Sequence, residues 1–301
     1  MPVNIPDTLP ASEVLKNENV FVMHESRART QDIRPIKIGV LNLMPLKETT
    51  ETHIIRMLSN TPLQVEIVLL YTESHTPKHT SRKHLDSFYK SFKDIQNEYL
   101  DGLIITGAPI EHLKFTDVLY WDELQEIYNW ADLHVTSLLH ICWGAQAALY
   151  HYFGIEKYEL PSKKFGVFAH TLCDKKNELV HGYDDLFYAP HSRYTYTKKE
   201  DIINNKELIL LSTSDDAGVY LAATKNKKHV FVTGHAEYDP ITLRDEYLRD
   251  VAKGLDVEMP QNYFPQNDPN QMPLHVWKAH GNLLFSNWLN FYVYQETPYA
   301  I

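Results

Sequence analysis

The chain has 301 residues, 44% hydrophobic and 23% charged, with a formal net charge of -10. This composition belongs to a folded globular protein with a sizeable core, and the acidic balance argues against general nucleic-acid binding, which needs a basic field. The first ten residues lack the basic stretch and apolar run of a secretion signal. No apolar segment is long enough to span a bilayer, since the best candidate, around 133–143, is interrupted by His134 and His140. Two cysteines occur, Cys142 and Cys173, with no CxxC pair. That speaks against a disulfide framework or a zinc–cysteine site and fits a reducing cytoplasm.

In chain order, strands alternate with helices. Residues 36–43 (IKIGVLNL) form a buried strand, and 48–58 an amphipathic helix with Ile54, Ile55 and Leu58 on one side. Residues 64–71 give a second strand and 84–95 a helix, with Leu85, Phe88, Phe92 and Ile95 at helical spacing. A short strand at 102–106 ends in Gly107-Ala108-Pro109, a helix covers 121–132, a strand 134–141, and a helix 144–153 stops at Gly154. This alternation, without hairpin turns, implies an α/β fold: a mostly parallel sheet flanked by helices.

Further on, 165–172, 207–212, 219–223 and 229–233 are short strands that suit an antiparallel extension of the sheet. Helices at 241–253 and 274–294 finish the chain, with a Pro/Asn/Gln-rich loop at 259–273 expected to act as an arm against a neighbour. No linker divides the sequence. It reads as a single domain over 1–301, with an N-terminal extension at 1–35 and a C-terminal arm and helix at 255–301 packed on the core.

The most informative stretch is TSLLHICWGAQAAL at 136–149. A buried strand runs into Cys142, Gly144 follows two residues later, and an Ala-rich helix begins at once, the layout of a nucleophile elbow. Only small residues fit around so sharp a turn, the helix N-terminus favours an anionic sulfur, and the Trp143 N–H is placed to meet an oxyanion. A buried core position is the commonest fate of a free cysteine, but this context favours the nucleophile, whereas Cys173 in TLCDKK lacks it. Downstream, a strand ends in Thr233-Gly234-His235-Ala236-Glu237. Residues two apart in extended chain face the same way, so Glu237 can orient His235 and His235 can take the thiol proton. With 16 histidines in the chain, the HxE pair gains weight only beside the cysteine elbow. HExxH, Walker A and GxGxxG patterns are absent, so a zincin and nucleotide-cofactor chemistry have no support and no metal is expected.

HICWGAQ followed by GHAEYD resembles the class I glutamine amidotransferase-like (flavodoxin-like) fold, with His140 where the amidotransferases carry Gly. With MPVNIPDTLPA at the start, NLMPLKETTE at 42–51, ITGAP at 105–109 and APHSRYT at 189–195, the chain resembles the homoserine O-acyltransferase family of methionine biosynthesis along nearly its whole length. The resemblance implies a ping-pong reaction in which Cys142 takes an acyl group from acyl-CoA and the hydroxyl of L-homoserine then accepts it, with His235 as base and Glu237 holding it. It also implies that Lys47 lies at the thioester oxyanion, that Lys163, Ser192 and Arg249 contact substrate, that CoA is a co-substrate with no permanently bound cofactor, and that the enzyme is a homodimer. By spacing alone, Glu246 and Arg249 share a helix face and suit the ammonium and carboxylate of homoserine, although an exposed charge pair is the plainer reading; Lys163 reads as a basic turn and Ser192 as a loop hydroxyl.

The resemblance links Glu at position 111 with acetyl transfer and Gly with succinyl transfer. Physically, a succinyl carboxylate beside Glu111 is repelled, so acetyl-CoA is the expected donor. Succinyl-CoA and a glutaminase or cysteine hydrolase with the same triad are the alternatives. The cluster Lys78, His79, Arg82 and Lys83 is a weak candidate for the CoA phosphates.

Overall fold

The computed structural model describes residues 3–18, 22–28, 34–75 and 80–298. Among them a 12-stranded sheet runs through the molecule. The elements in chain order are β1 (Val3–Ile5), α1 (Ala11–Asn17), β2 (Val22–His24), α2 (Glu25–Ala28), β3 (Ile36–Leu41), α3 (Lys47–Leu58), β4 (Val65–Leu70), α4 (Arg82–Phe88), β5 (Tyr89–Lys90), α5 (Phe92–Ile95), β6 (Leu100–Ile105), α6 (Trp121–His134), β7 (Val135–Ile141) and α7 (Trp143–Phe153). There follow β8 (Tyr158–Leu172), β9 (Leu186–Tyr196), α8 (Lys199–Asn204), β10 (Leu208–Ser214), β11 (Gly218–Thr224), β12 (His229–Val232), α9 (Thr242–Ala252) and α10 (Lys278–Asn287).

The strand order is β2-β1-β4-β3-β6-β7-β12-β11-β10-β8-β9, with β5 pairing β4. From β2 to β12 every pairing is parallel, and from β12 to β9 every pairing is antiparallel. The apolar runs of β3, β6 and β7 are buried on both faces, as a parallel sheet between helices requires. On one face α3 packs Ile54, Ile55 and Leu58 with Leu284, Phe285 and Trp288 of the C-terminal segment. On the other, Leu124, Ile127 and Tyr128 of α6 meet Ala145, Ala148 and Leu149 of α7. Each such Leu or Ile contributes about 1.5–3 kcal/mol by burial.

Four expectations are amended by the structure. The helix expected at 84–95 is broken: the chain extends at Tyr89–Lys90 and restarts where Asp94 accepts from the Ser91 N–H at 2.8 Å and its hydroxyl at 2.9 Å. The N-terminal extension contributes β1 and β2 to the sheet, which is no departure from packing on the core. The stretch containing APHSRYT is a strand, β9, so Ser192 is no loop residue, and Lys163 lies in β8 instead of a basic turn. The 259–273 arm packs on its own chain: Gln261 exchanges backbone hydrogen bonds with Phe165 and Val167 at 2.9 Å, and Tyr263 and Phe264 are buried against Phe165, Tyr238 and Trp277. Gly166 permits this approach, because a Cβ there would lie 2.3 Å from the Gln261 carbonyl oxygen. The last helix begins at Lys278 and passes into a π-helical stretch, Trp288–Tyr294.

Candidate active site

Because β12 lies parallel to β7, with Val232 opposite Ile141, the two strands deliver the residues after them to the same edge of the sheet. Cys142 comes from one tip and His235 from the other, although 92 positions separate them in the sequence. Cys142 joins β7 to α7 at φ 52° and ψ -116°, a backbone conformation that costs a non-glycine residue about 1–3 kcal/mol. Its N–H donates to the Val232 carbonyl at 2.7 Å. Two glycines give the turn room: a Cβ at Gly107 would lie 3.2 Å from the Cys142 Cβ, and one at Gly144 would lie 2.6 Å from the Thr106 carbonyl oxygen. As the first residue of α7, Trp143 has no intrahelical acceptor for its N–H, and its indole is fully buried.

His235 is buried, and its Nδ1 lies 2.7 Å from Glu237 Oε1. Its ring stacks on Tyr238, with centroids 4.0 Å apart and planes 12° apart. Burial alone would pull the His235 pKa down; the adjoining Cys142 sulfur and the Glu237 carboxylate outweigh burial and hold it well above the usual imidazole value. The arrangement therefore favours an imidazolium beside the sulfur. Glu111 follows β6 at the same edge. Burial raises its carboxyl pKa, and His235, His112 and Lys163 oppose that rise, so it shares the electrostatic surroundings of the triad residues.

On the antiparallel side, β8 and β9 pair Phe165 with Ser192 and carry a polar cluster against α9. The Lys163 ammonium donates to Glu246 Oε1 at 2.5 Å and the Ser192 hydroxyl donates to the same oxygen at 2.8 Å. Arg249 lies 3.9 Å from Glu246 Oε1 and donates to Asp250 at 2.8 Å. The four residues singled out in the sequence, Lys163, Ser192, Glu246 and Arg249, thus stand together, with Asp250 added. Lys47 opens α3 after the tip of β3, two strands from Cys142; it is buried and donates to the Asn42 carbonyl. Burial lowers its pKa to about 8, against the opposing charge of Glu51.

Two residues here went unassigned in the sequence. Arg193 is a buried guanidinium that donates to the Thr195 and Ala217 carbonyls and to His191 Nδ1. Burial lowers its pKa to about 10, with an opposing contribution from Cys142. Tyr238 stays protonated, its pKa raised by burial and by Glu246, Glu237, Cys142 and Glu111 around it. Both lie inside motifs, APHSRYT and GHAEYD, but only strand alternation in β9 and stacking on His235 reveal their placement. His140 belongs elsewhere: its Nε2 lies 3.3 Å from His229 Nδ1 in the layer beneath α6 and α7. Of the cationic cluster, Lys78 and His79 lie outside the described residues, and Arg82 pairs with Asp86 on the surface at 2.9 Å. Among the described residues no group of three His, Cys, Asp or Glu side chains is arranged to hold a metal, and no helix is long and apolar enough to cross a membrane.

The fold and the sequence have relatives. The glutamine amidotransferase structure from Methylobacillus flagellatus superposes with a TM-score of 0.56 at 13% identity, covering 90% of this chain and 99% of that one; at that identity it shows the fold alone. Homoserine O-acetyltransferase of Brevibacillus brevis is 60% identical over the whole chain and 98% of its own length, and that of Acetivibrio thermocellus is 56% identical over the whole chain and 99% of its length. The sequence model described as Homoserine O-succinyltransferase matches residues 2–299. The chain is an acyltransferase and belongs to the homoserine O-succinyltransferase family.

Proposed function

We propose that the chain transfers acetyl from acetyl-CoA to the hydroxyl of L-homoserine through an acetyl-Cys142 intermediate. The observation that carries the proposal is the parallel pairing of β7 with β12, which seats Cys142 beside His235 while Glu237 holds the far side of the imidazole at 2.7 Å. In the first half-reaction Cys142 Sγ attacks the thioester carbonyl carbon. The oxyanion is met by the Trp143 N–H and the Lys47 ammonium; the C–S bond to CoA then breaks and the CoA sulfur takes the proton held by His235. In the second, neutral His235 removes the hydroxyl proton of homoserine as its oxygen attacks the acetyl carbon. Collapse releases O-acetylhomoserine and restores the Cys142–His235 pair.

Glu246 suits the substrate ammonium, and Arg249 with Lys163 suits its carboxylate; Ser192 fixes the Glu246 oxygen by donating to it at 2.8 Å. Nucleophile, base and oxyanion donors all come from the protein, so the reaction needs no resident cofactor. Glu111 favours acetyl over succinyl, because its half-buried carboxyl both fills space and repels a second carboxylate. The chemistry suits one domain over 1–301 in the cytoplasm, where a free thiol persists. A homodimer is supported by the exposed Leu248 and Val251 on α9 and Leu255 just beyond it. The test is to offer the protein L-homoserine with acetyl-CoA or succinyl-CoA, and glutamine alone. O-acetylhomoserine should dominate; faster succinyl transfer overturns the donor, and ammonia release without acyl transfer overturns the reaction.

A further inference from the structure

Two strands from Cys142, around the start of α3, lies a second buried polar network, centred on a carboxyl group. The Glu51 side chain has no solvent exposure. Its Oε1 accepts from the Tyr89 hydroxyl at 2.6 Å, and His84 Nε2 lies 2.9 Å and 3.2 Å from its two oxygens. The Tyr89 hydroxyl in turn accepts from Asn42 Nδ2 at 2.9 Å. Asn42 Nδ2 also donates to the Lys47 carbonyl at 3.2 Å, and the Lys47 ammonium donates to the Asn42 carbonyl. The ammonium sits over the Tyr89 ring, 5.7 Å from its centroid. A buried acid is costly unless something offsets its desolvation; one branch from this one runs through Tyr89 and Asn42 to Lys47, and the other through His84 toward Glu48.

We propose that Glu51 is a positioning residue for Lys47: through Tyr89 and Asn42 it holds the ammonium in place at the acyl site, and by its own charge it keeps that ammonium protonated. The proposal rests on the role given to Lys47 above. Two features of the fold make it work. Lys47 and Glu51 are four apart in α3 and so share a face, and the break between α4 and α5 turns Tyr89 into a strand so that its hydroxyl reaches between Glu51 and Asn42. The loop leading into Lys47 is tied to the acyl side by the Leu43 N–H, which donates to the Thr106 hydroxyl at 2.8 Å, next to Gly107 under Cys142. The titratable groups facing the ammonium's network are Glu51 and Glu48 on its own helix, His84 on α4 and Tyr89 on β5; His84 Nδ1 lies 3.8 Å from Glu48. The Tyr89 pKa is raised by burial and then by Glu51, so Tyr89 stays protonated and keeps donating. Burial lowers the Lys47 pKa to about 8, and the charge of Glu51 opposes that fall.

The experiment follows kcat/KM for acetyl-CoA against pH in the full-length enzyme. In Glu51→Gln the alkaline limb should move about one pH unit lower, and Glu51→Asp should largely restore it. Tyr89→Phe keeps the charge and removes the relay, so it should lower the plateau and leave the limb in place. Alkylation of Cys142 by iodoacetamide, which senses the Cys142–His235 pair, should keep its pH profile in all three variants. An unmoved alkaline limb in Glu51→Gln overturns the proposal, and so does an alkylation profile that moves with it, which marks a general loss of structure. If Glu51→Gln does not fold, Glu51→Asp and Tyr89→Phe decide: a limb displaced by the tyrosine change, or an unaffected plateau, refutes the relay. Lys47→Met with undiminished turnover instead defeats the role of Lys47 itself, a separate failure.

Discussion

Gly144→Ala is the sharpest steric probe of the elbow. The added Cβ would stand 2.6 Å from the Thr106 carbonyl oxygen and 2.9 Å from that of Ile105. Ordinary carbon–oxygen contacts begin near 3.3 Å, so about 0.7 Å of movement is needed. Both obstacles are backbone, and the second belongs to β6, paired with β7 through Ile105 and His140; neither can swing aside like a side chain. The turn at Cys142 must give, at about 1–3 kcal/mol of stability. Since roughly 1 Å of misplacement costs about 100-fold in rate, 0.7 Å should lower kcat/KM by about 10–100-fold. Steady-state acetyl transfer and urea unfolding measure the two effects. Wild-type turnover in a folded Gly144→Ala protein would refute the claim that the close passage of α7 under β6 sets the sulfur's position.

Three further outcomes follow. Glu237→Gln removes one of the two groups that raise the His235 pKa, Cys142 being the other, so kcat should fall by about 10³–10⁴ and the pH profile of Cys142 alkylation should change; a loss under tenfold contradicts the triad. Glu111→Gly should raise the succinyl-to-acetyl rate ratio at least about tenfold, and an unchanged ratio removes Glu111 from donor choice. His140, His191, His170 and His229 are buried, and burial is the first cause of their lowered pKa values, to about 4 for His170 and about 3 for His229. Above about pH 6.5 neither state protonates them; below it the unfolded chain takes up protons that the fold refuses, so stability falls as pH drops toward 4. His229→Gln should flatten that slope by about one proton, or 1.4 kcal/mol per pH unit; an unaltered slope would disprove it.

Much of the architecture was legible because the physics is local. The apolar runs of β3, β6 and β7, the Gly-Ala-rich start of α7 and the HxE after β12 each announce themselves within a few residues, and topology does the rest by laying β12 against β7. What escaped notice depends on distant partners. Ser192 and Arg193 look like a polar loop until β9 is paired along β8. The helical spacing of Leu85, Phe88, Phe92 and Ile95 survives in the sequence, yet Tyr89 leaves the helix because its hydroxyl is claimed by Glu51 and Asn42. The 259–273 arm carries Tyr263 and Phe264 into a pocket that Gly166 opens from another element. Glu51 belongs to no motif with a chemical reading, and its complete burial is what marks it out.

Covalent capture gives the most direct measurement. The protein is incubated with acetyl-CoA alone, digested, and the peptide bearing Cys142 is weighed. One acetyl group is expected on Cys142, lost on addition of L-homoserine with O-acetylhomoserine formed in equal amount and absent from Cys142→Ser. Transfer that proceeds at full rate in Cys142→Ser, or with no acetyl on that peptide, would contradict that expectation.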